Sequence, residues 1–329
     1  MLKRFWSSRT EMASTDPVSS PPTESESPRA IFKKDRVDEL YAIEKLVGEG
    51  NYAEVYRARC RVTKEKVAIK RLMRKPGDKE QALSIEREEL YMGKDINHPN
   101  VIRLRHMFKT PRMVCIVQDL ADCGDIAKYM KREKHFSEKD AKVILVQVLK
   151  GLAHLHDHGV VHRDIKPGNI LFSTNGDVKI ADFGLSAIIK EGETTTTGMY
   201  GTPYYAAPEV FRNEHYTTVA DMWSLGVMVY FMLSGSQAFE AENSRAVKAR
   251  VLQGTFDMES GLWSSISAEA KSFISRLIEM DPKKRATAEQ AQLLPWITDS
   301  LPNNSASSIP PTDKKDNSSS PRAITEFTG

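Results

Sequence analysis

The chain has 329 residues, with 47 Lys+Arg against 44 Asp+Glu, a formal net charge of +3, 40% hydrophobic and 28% charged residues. That balance lacks the cationic excess of a dedicated nucleic-acid binder, and the hydrophobic share excludes a disordered or fibrous chain. The longest uninterrupted apolar run, Val227 to Leu233, has seven residues, where a membrane span needs about 20, so neither nucleic acid nor membrane is an expected partner.

Residues 1–30 contain seven Ser and four Pro, and residues 300–329 contain seven Ser, four Pro and three Asn. Neither stretch has the hydrophobic periodicity that would offset the entropy of ordering it. Residues 1–39 and 298–329 therefore read as disordered tails around one folded part, residues 40–297. The first ten residues are basic but lack the apolar core of a secretory signal. Three cysteines, Cys60, Cys115 and Cys123, offer no disulfide framework and suit a reducing compartment, cytoplasmic or nuclear.

In chain order, the folded part begins with strand, Gly-rich turn, strand over AIEKLVGEGNYAEVYRARC, followed by a third strand, KVAIKRLM. A helix is predicted from about Lys79 to Asp95, with Ile85, Glu89, Met92 and Ile96 on one face. VIRLRHMF and MVCIVQDL read as two further strands. After Gly124 the pattern turns mostly helical. A long helix opens at Ser137, a good N-cap, with Ile144, Val148, Leu152 and Leu155 on one side.

Gly48-Glu49-Gly50 alone is equally an ordinary hairpin turn. The alternating residues after it disfavour a dinucleotide fold, and no G-x-x-x-x-G-K-[ST] is present. Val67-Ala68-Ile69-Lys70 places a lysine on an apolar strand, where it needs an anionic partner. Next comes Val161-His162-Arg163-Asp164-Ile165-Lys166-Pro167-Gly168-Asn169. Asp182-Phe183-Gly184 stands eighteen residues after Asp164, and Ala207-Pro208-Glu209 ends twenty-seven after Asp182.

Each short motif occurs by chance; the ordered set at these intervals is highly specific. In that set the sequence resembles the eukaryotic protein kinase family, serine/threonine type, over residues 40–297. Later features are most similar to the calcium/calmodulin-dependent kinase group. The resemblance implies an α+β, two-lobed fold: a small antiparallel β-rich N-lobe with one helix, and a larger mainly α-helical C-lobe. It implies transfer of the γ-phosphate of Mg-ATP to Ser/Thr hydroxyls of protein substrates. The rival is a catalytically silent kinase-like scaffold, which needs a broken catalytic element.

The site residues follow from the resemblance. Asp164 would be the base that accepts the acceptor proton, and Lys166 would neutralise the γ-phosphate. Val47, Gly48, Glu49 and Gly50 would form the phosphate turn, although Ala53 replaces the family's third glycine. Val55 and Ala68 would lie against the adenine, Lys70 on the α- and β-phosphates, and Asn169 and Asp182 on Mg²⁺. Gln118 would guard the rear of the pocket, Asp119 and Ala121 would offer backbone groups to adenine, and Asp125 would reach the ribose. Family spacing to His98-Pro99-Asn100 selects Glu89 as the helix partner of Lys70, which puts Gly93 four positions on. The neighbouring Glu88 would put Met92 there instead.

Asp164-Ile165-Lys166-Pro167 and Thr202 fit the serine/threonine form. Arg163 and the run Thr194, Thr195, Thr196 and Thr197 imply an activation segment tuned by phosphorylation, by an upstream kinase or by autophosphorylation. Gly168 and Phe231 stand where basophilic relatives carry acids, so basic selectivity should be modest. Asp221 would anchor the catalytic loop, and Glu209 would pair with Arg285. Residues 298–329 hold three basic and four acidic residues without apolar periodicity, so calmodulin control is not expected. His154, His156, His158 and His162 lack a complete metal-ligand pattern.

Overall fold

The computed structural model describes residues 31–32, 37–49, 53–190 and 192–299. Gly50 and most of both expected tails lie outside the described residues. The small lobe runs β1 (Ile31–Phe32), α1 (Val37–Leu40), β2 (Tyr41–Glu49), β3 (Glu54–Cys60), β4 (Lys66–Met73), α2 (Lys79–Met92), β5 (Leu104–Lys109) and β6 (Met113–Asp119). Its six strands form one sheet in the order β1-β5-β6-β4-β3-β2. Only the β1–β5 pairing is parallel.

Residues 31–32 and 37–39 correct the tail boundary drawn from composition. Ile31 pairs with Met107, and Val37 is buried with Tyr41, Ala58, Val67, Ile69 and Phe108. These apolar residues were averaged into a Ser/Pro-rich stretch, which hid them.

The period-2 geometry of a strand explains β4. Val67 and Ile69 enter the small cluster on one side of the sheet. Leu72 joins the main core on the other, the side shared by Ala68 and Lys70. Helix α2 begins at Asp78, whose side chain accepts from Gln81 N at 3.0 Å. It ends at Met92, three residues before the predicted end, where the Gly93 and Lys94 amides turn back onto Glu89 and Tyr91 carbonyls.

The large lobe holds α3 (Ile126–Glu133), α4 (Glu138–Asp157), β7 (Val160–Val161), β8 (Ile170–Phe172), β9 (Val178–Ile180), β10 (Ala187–Ile188), α5 (Pro208–Phe211), α6 (Val219–Ser234), α7 (Ser244–Gln253), α8 (Ala268–Leu277), α9 (Ala288–Gln292) and α10 (Pro295–Thr298). Ser137 caps α4 as predicted, accepting from Asp140 N at 3.1 Å, and Ile144, Val148, Leu152 and Leu155 are buried. Helix α6 is buried on every residue from Ala220 to Tyr230. An all-round apolar helix of this kind is the centre of a globular lobe, which accounts for the apolar run at Val227. Among the described residues no helix is long and apolar enough to cross a membrane.

Two short ribbons, β7–β10 and β8–β9, frame the segment from His162 to Asp182. Strand β9 is tied to the small lobe's return loop by Ile180 N to Asn100 O (2.9 Å) and Ile102 N to Ile180 O (2.8 Å).

Candidate active site

Strand register builds the upper wall. Gly48 opposes Val55, Val55 opposes Lys70, and Ala68 opposes Gln118. Directly opposed residues share a face, so these five positions line one side of the sheet. A Cβ added at Gly48 would sit 3.7 Å from Val55 Cβ, an ordinary contact. The protein's own packing therefore does not require glycine there, whereas a close approach by a ligand does. Val47 precedes Gly48, and Glu49 ends β2 opposite Glu54.

Lys70 Nζ donates to Glu88 Oε1 at 2.6 Å and to Asp182 Oδ1 at 2.8 Å. This corrects the selection of Glu89, which instead pairs with Lys109 on β5. The reason is helical phase. Ile85 and Met92 bracket Glu88 and Glu89 equally, but the buried face of α2 also holds Gln81 and Tyr91, and Glu88, seven after Gln81 and three before Tyr91, lies at the centre of that face. Glu89 is turned a further 100° or so. Burial alone would lower the Lys70 pKa, but the Asp182 and Glu88 carboxylates hold it well above its ordinary value. The Lys70 charge holds Asp182 well below the usual carboxylate range. Burial pushes the Glu88 carboxyl up despite Lys70, and its Oε2 is buried without a hydrogen bond among the described residues.

Below the cleft, Asp164 collects the loop around it. It accepts from Asn169 Nδ2 (2.9 Å) and from Thr202 N (3.1 Å) and Oγ1 (2.8 Å), and Lys166 Nζ lies 2.7 Å away. Lys166 also reaches Thr202 Oγ1 at 2.8 Å. Ala181 N donates to Asn169 O at 2.9 Å, which brings Asn169 beside Asp182. Two of the non-glycine residues at positive φ, Arg163 (67°) and Asp182 (67°), flank the site. Such strain persists only where surroundings enforce it. For Arg163 the enforcing group is Asp221, which accepts from His162 N and Arg163 N at 2.8 Å each. His156 Nε2 holds the same carboxylate at 3.0 Å.

The geometry thus joins Lys70, Asp164, Asn169 and Asp182 in one cleft. A protein kinase domain family model matches residues 41–297. The chain belongs to the protein kinase family. Serine/threonine-protein kinase H1 from Homo sapiens is 35% identical over 303 residues, covering 90% of this chain and 70% of the relative. Calcium/calmodulin-dependent protein kinase type IV from Rattus norvegicus is 35% identical over 275 residues, covering 82% and 57%. Serine/threonine-protein kinase SIK1 from Mus musculus is 38% identical over 259 residues, covering 78% and 32%. The chain is a protein serine/threonine kinase with a two-lobed fold, weakly related to the calcium/calmodulin-dependent group, and the family generally uses ATP and Mg²⁺.

The kinase fold gives other expected residues definite surroundings. Asp119 ends β6, and its side chain accepts from Arg105 at 2.9 Å; Ala121 follows in the link between lobes. Asp125 caps α3 through Lys128 N at 2.8 Å, which commits one carboxylate oxygen to the helix. Glu209 and Arg285 form a two-pronged pair at 2.5 and 3.0 Å. In the activation segment Thr194 is exposed and Thr195 Oγ1 lies 3.2 Å from His215 Nδ1. Thr196 exchanges backbone bonds with Tyr216 (2.8 and 2.9 Å), and Thr197 O accepts from Arg163 at 3.3 Å. The four histidines serve different partners. His154 stacks on His98 and lies tilted beside His158, whereas His156 serves Asp221 and His162 bonds Ala181 O at 3.0 Å.

Sequence reading missed the stack of Tyr91 on Phe183, with ring centroids 3.7 Å apart, which packs α2 onto the Asp182 segment. Only the apolar character of both positions hinted at it. The Glu88 assignment gives a direct test. Glu88→Gln should lower kcat/KM by about a hundredfold through misplacement of Lys70. Glu89→Gln, which loses a partly exposed pair, should stay within about fivefold. Steady-state kinetics with the reverse ranking would return the role to Glu89.

Proposed function

We propose that this kinase is catalytically active and transfers the γ-phosphate of Mg-ATP to Ser/Thr hydroxyls of proteins, with Asp164 accepting the hydroxyl proton. The observation that carries this is the intact polar set around Asp164, facing the Lys70–Glu88–Asp182 chain. A silent scaffold would have a gap in that set.

Among the described residues no cluster of three or more His, Cys, Asp or Glu side chains forms a complete metal site. Asp182 and Asn169 instead offer a carboxylate and an amide oxygen. That donor pair fits a hard cation that completes its shell with water and substrate phosphate. Asn169 donates through Nδ2 to Asp164, so its Oδ1 is the atom suited to a cation. When bound, Mg²⁺ would neutralise phosphate charge between the two nucleotide-facing residues. Lys70 would hold and orient the phosphates from above, with Glu88 fixing its position. Lys166, 2.8 Å from Thr202 and 2.7 Å from Asp164, would supply positive charge on the acceptor side. Thr202 donates to Asp164 Oδ1, which aims the carboxylate at the acceptor position. Val55, Ala68 and Gln118 would shape the adenine pocket, with Asp119 and Ala121 at its edge.

Phosphorylation within Thr194–Thr197 is proposed to raise activity, through an upstream kinase or autophosphorylation. The carbonyl of Thr197 already meets Arg163, the residue before Asp164. One of these relatives is a calcium/calmodulin-dependent kinase; here residues 298–329 carry four acidic residues against three basic ones, which favours control without calmodulin. Purified protein given Mg-ATP and a generic protein substrate should yield phosphoserine and phosphothreonine. No transfer, or phosphotyrosine alone, would overturn the reading.

A further inference from the structure

The activation segment is fastened at a residue outside the transfer chemistry. The guanidinium carbons of Arg87 and Arg163 both lie 4.2 Å from the ring centroid of the half-buried Tyr200. Arg87 sits on α2 beside Glu88, and Arg163 precedes Asp164. Arg87 also reaches Gly184 O at 3.4 Å. Arg163 also donates to the Leu185, Ser186 and Thr197 carbonyls at 2.5, 3.0 and 3.3 Å. Among the described residues neither arginine forms an ion pair with a carboxylate. Burial lowers the Arg163 pKa, and the charge of Arg87 contributes to the same direction. Two cations gathered in a partly buried place repel, and an electron-rich ring face is what offsets that repulsion.

The chain makes room for the ring. Gly198 has φ +102°, and a Cβ there would come within 2.3 Å of Tyr200 Cε2. Tyr216 Oη donates to Gly198 O at 2.9 Å, pinning the backbone that seats the ring. A side chain at position 198 and a ring at position 200 are therefore mutually exclusive in this arrangement.

We propose that Tyr200 is a positioning residue that joins Arg87 of α2 to Arg163 of the catalytic loop, doing in the unphosphorylated kinase what a segment phosphate would do with the same two arginines. This rests on the kinase reading above. Holding Arg87 fixes the rotation of α2 that aims Glu88 at Lys70. Holding Arg163 fixes the loop that carries Asp164. A phosphate on Thr194–Thr197 would compete with the ring for both cations, so the ring sets basal activity and the phosphate raises it.

The test uses the full chain with Thr194, Thr195, Thr196 and Thr197 all changed to Ala, which excludes phosphate at those positions. In that background Tyr200→Leu should lower kcat roughly tenfold, with KM for ATP unchanged. Tyr200→Phe, which keeps the ring, should retain the parent rate. Arg87→Met should lower the rate similarly but add little to Tyr200→Leu. Amide hydrogen exchange over residues 84–90 and 194–201, independent of turnover, should quicken in Tyr200→Leu and not in Tyr200→Phe. Equal losses in the Phe and Leu variants, additive losses with Arg87→Met, or exchange unmoved by Tyr200→Leu would each overturn the proposal. If the chain with all four threonines intact also transfers no phosphate, the kinase reading has failed, and the exchange comparison still decides the bridge.

Discussion

Asp164→Ala should reduce phosphate transfer by about a thousandfold or more while leaving the protein folded. A positioned base alone contributes about 10²–10⁴-fold, and here the same carboxylate organises its neighbours. Asn169, Thr202 and Lys166 all lean on it, so its removal also loosens acceptor alignment. The fold should tolerate the change, because Asn169 Nδ2 keeps its second partner, the Asp164 carbonyl, at 2.8 Å. Asp164→Asn separates the two contributions. It keeps an acceptor for Thr202 but cannot take a proton, so it should be nearly as inactive as the alanine variant. Single-turnover rates at saturating ATP, with melting temperature as the control, measure both. Retention of a tenth of the parent rate by Asp164→Asn would remove the proton-accepting role.

Glu209→Ala should cost the large lobe about 3–5 kcal/mol, because it strands an unpaired charge in the interior. The Arg285 side chain is 0% exposed and that of Glu209 2%. Arg285 has two further anchors, the Glu279 and Val219 carbonyls at 3.0 Å each, and it lies over Trp223. These hold the guanidinium in place after its carboxylate is gone, so it cannot reach water. For a domain of this size the loss corresponds to a fall in Tm of roughly 10 °C. The double variant Glu209→Leu/Arg285→Met removes both charges and should be more stable than Glu209→Ala, since paired deletion strands nothing. Thermal or denaturant unfolding of the three proteins decides it. A Glu209→Ala protein within 1 kcal/mol of the parent, by the linkage of a buried charge to stability, would mean the pair is not desolvated.

The parts of the site that sequence revealed are those whose chemistry demands a residue type at short spacing. Asp164, Lys166 and Asn169 lie within six residues of one another, and Asp182-Phe183-Gly184 needs no partner to be noticed. Lys70 was conspicuous as a charge on an apolar strand. Glu88 was harder to see: Ile85 and Met92 bracket Glu88 and Glu89 equally, and only Gln81 and Tyr91, buried on the same helix, tip the inward face toward Glu88. What stayed hidden were pairings set by the fold. His156 and Asp221 meet across 65 residues, and nothing local marks that histidine among its neighbours. Arg87, Tyr200 and Arg163 lie on three separate segments. Val37 belongs to the small-lobe core, but it follows a stretch whose average composition says tail.

The Asp221 carboxylate also bears on how the enzyme comes into being. It shapes the backbone at His162 and Arg163, 59 and 58 residues earlier in the chain. During synthesis the ribosome delivers all of Lys70, Asp164, Asn169 and Asp182 before α6 exists, and domains consolidate as units once their late segments emerge. The loop that carries Asp164 therefore acquires its shape only after the centre of the large lobe has been made and packed. A growing polypeptide holds every reactive side chain for some time without the backbone that makes them a catalyst, which separates the production of the kinase from the onset of its activity.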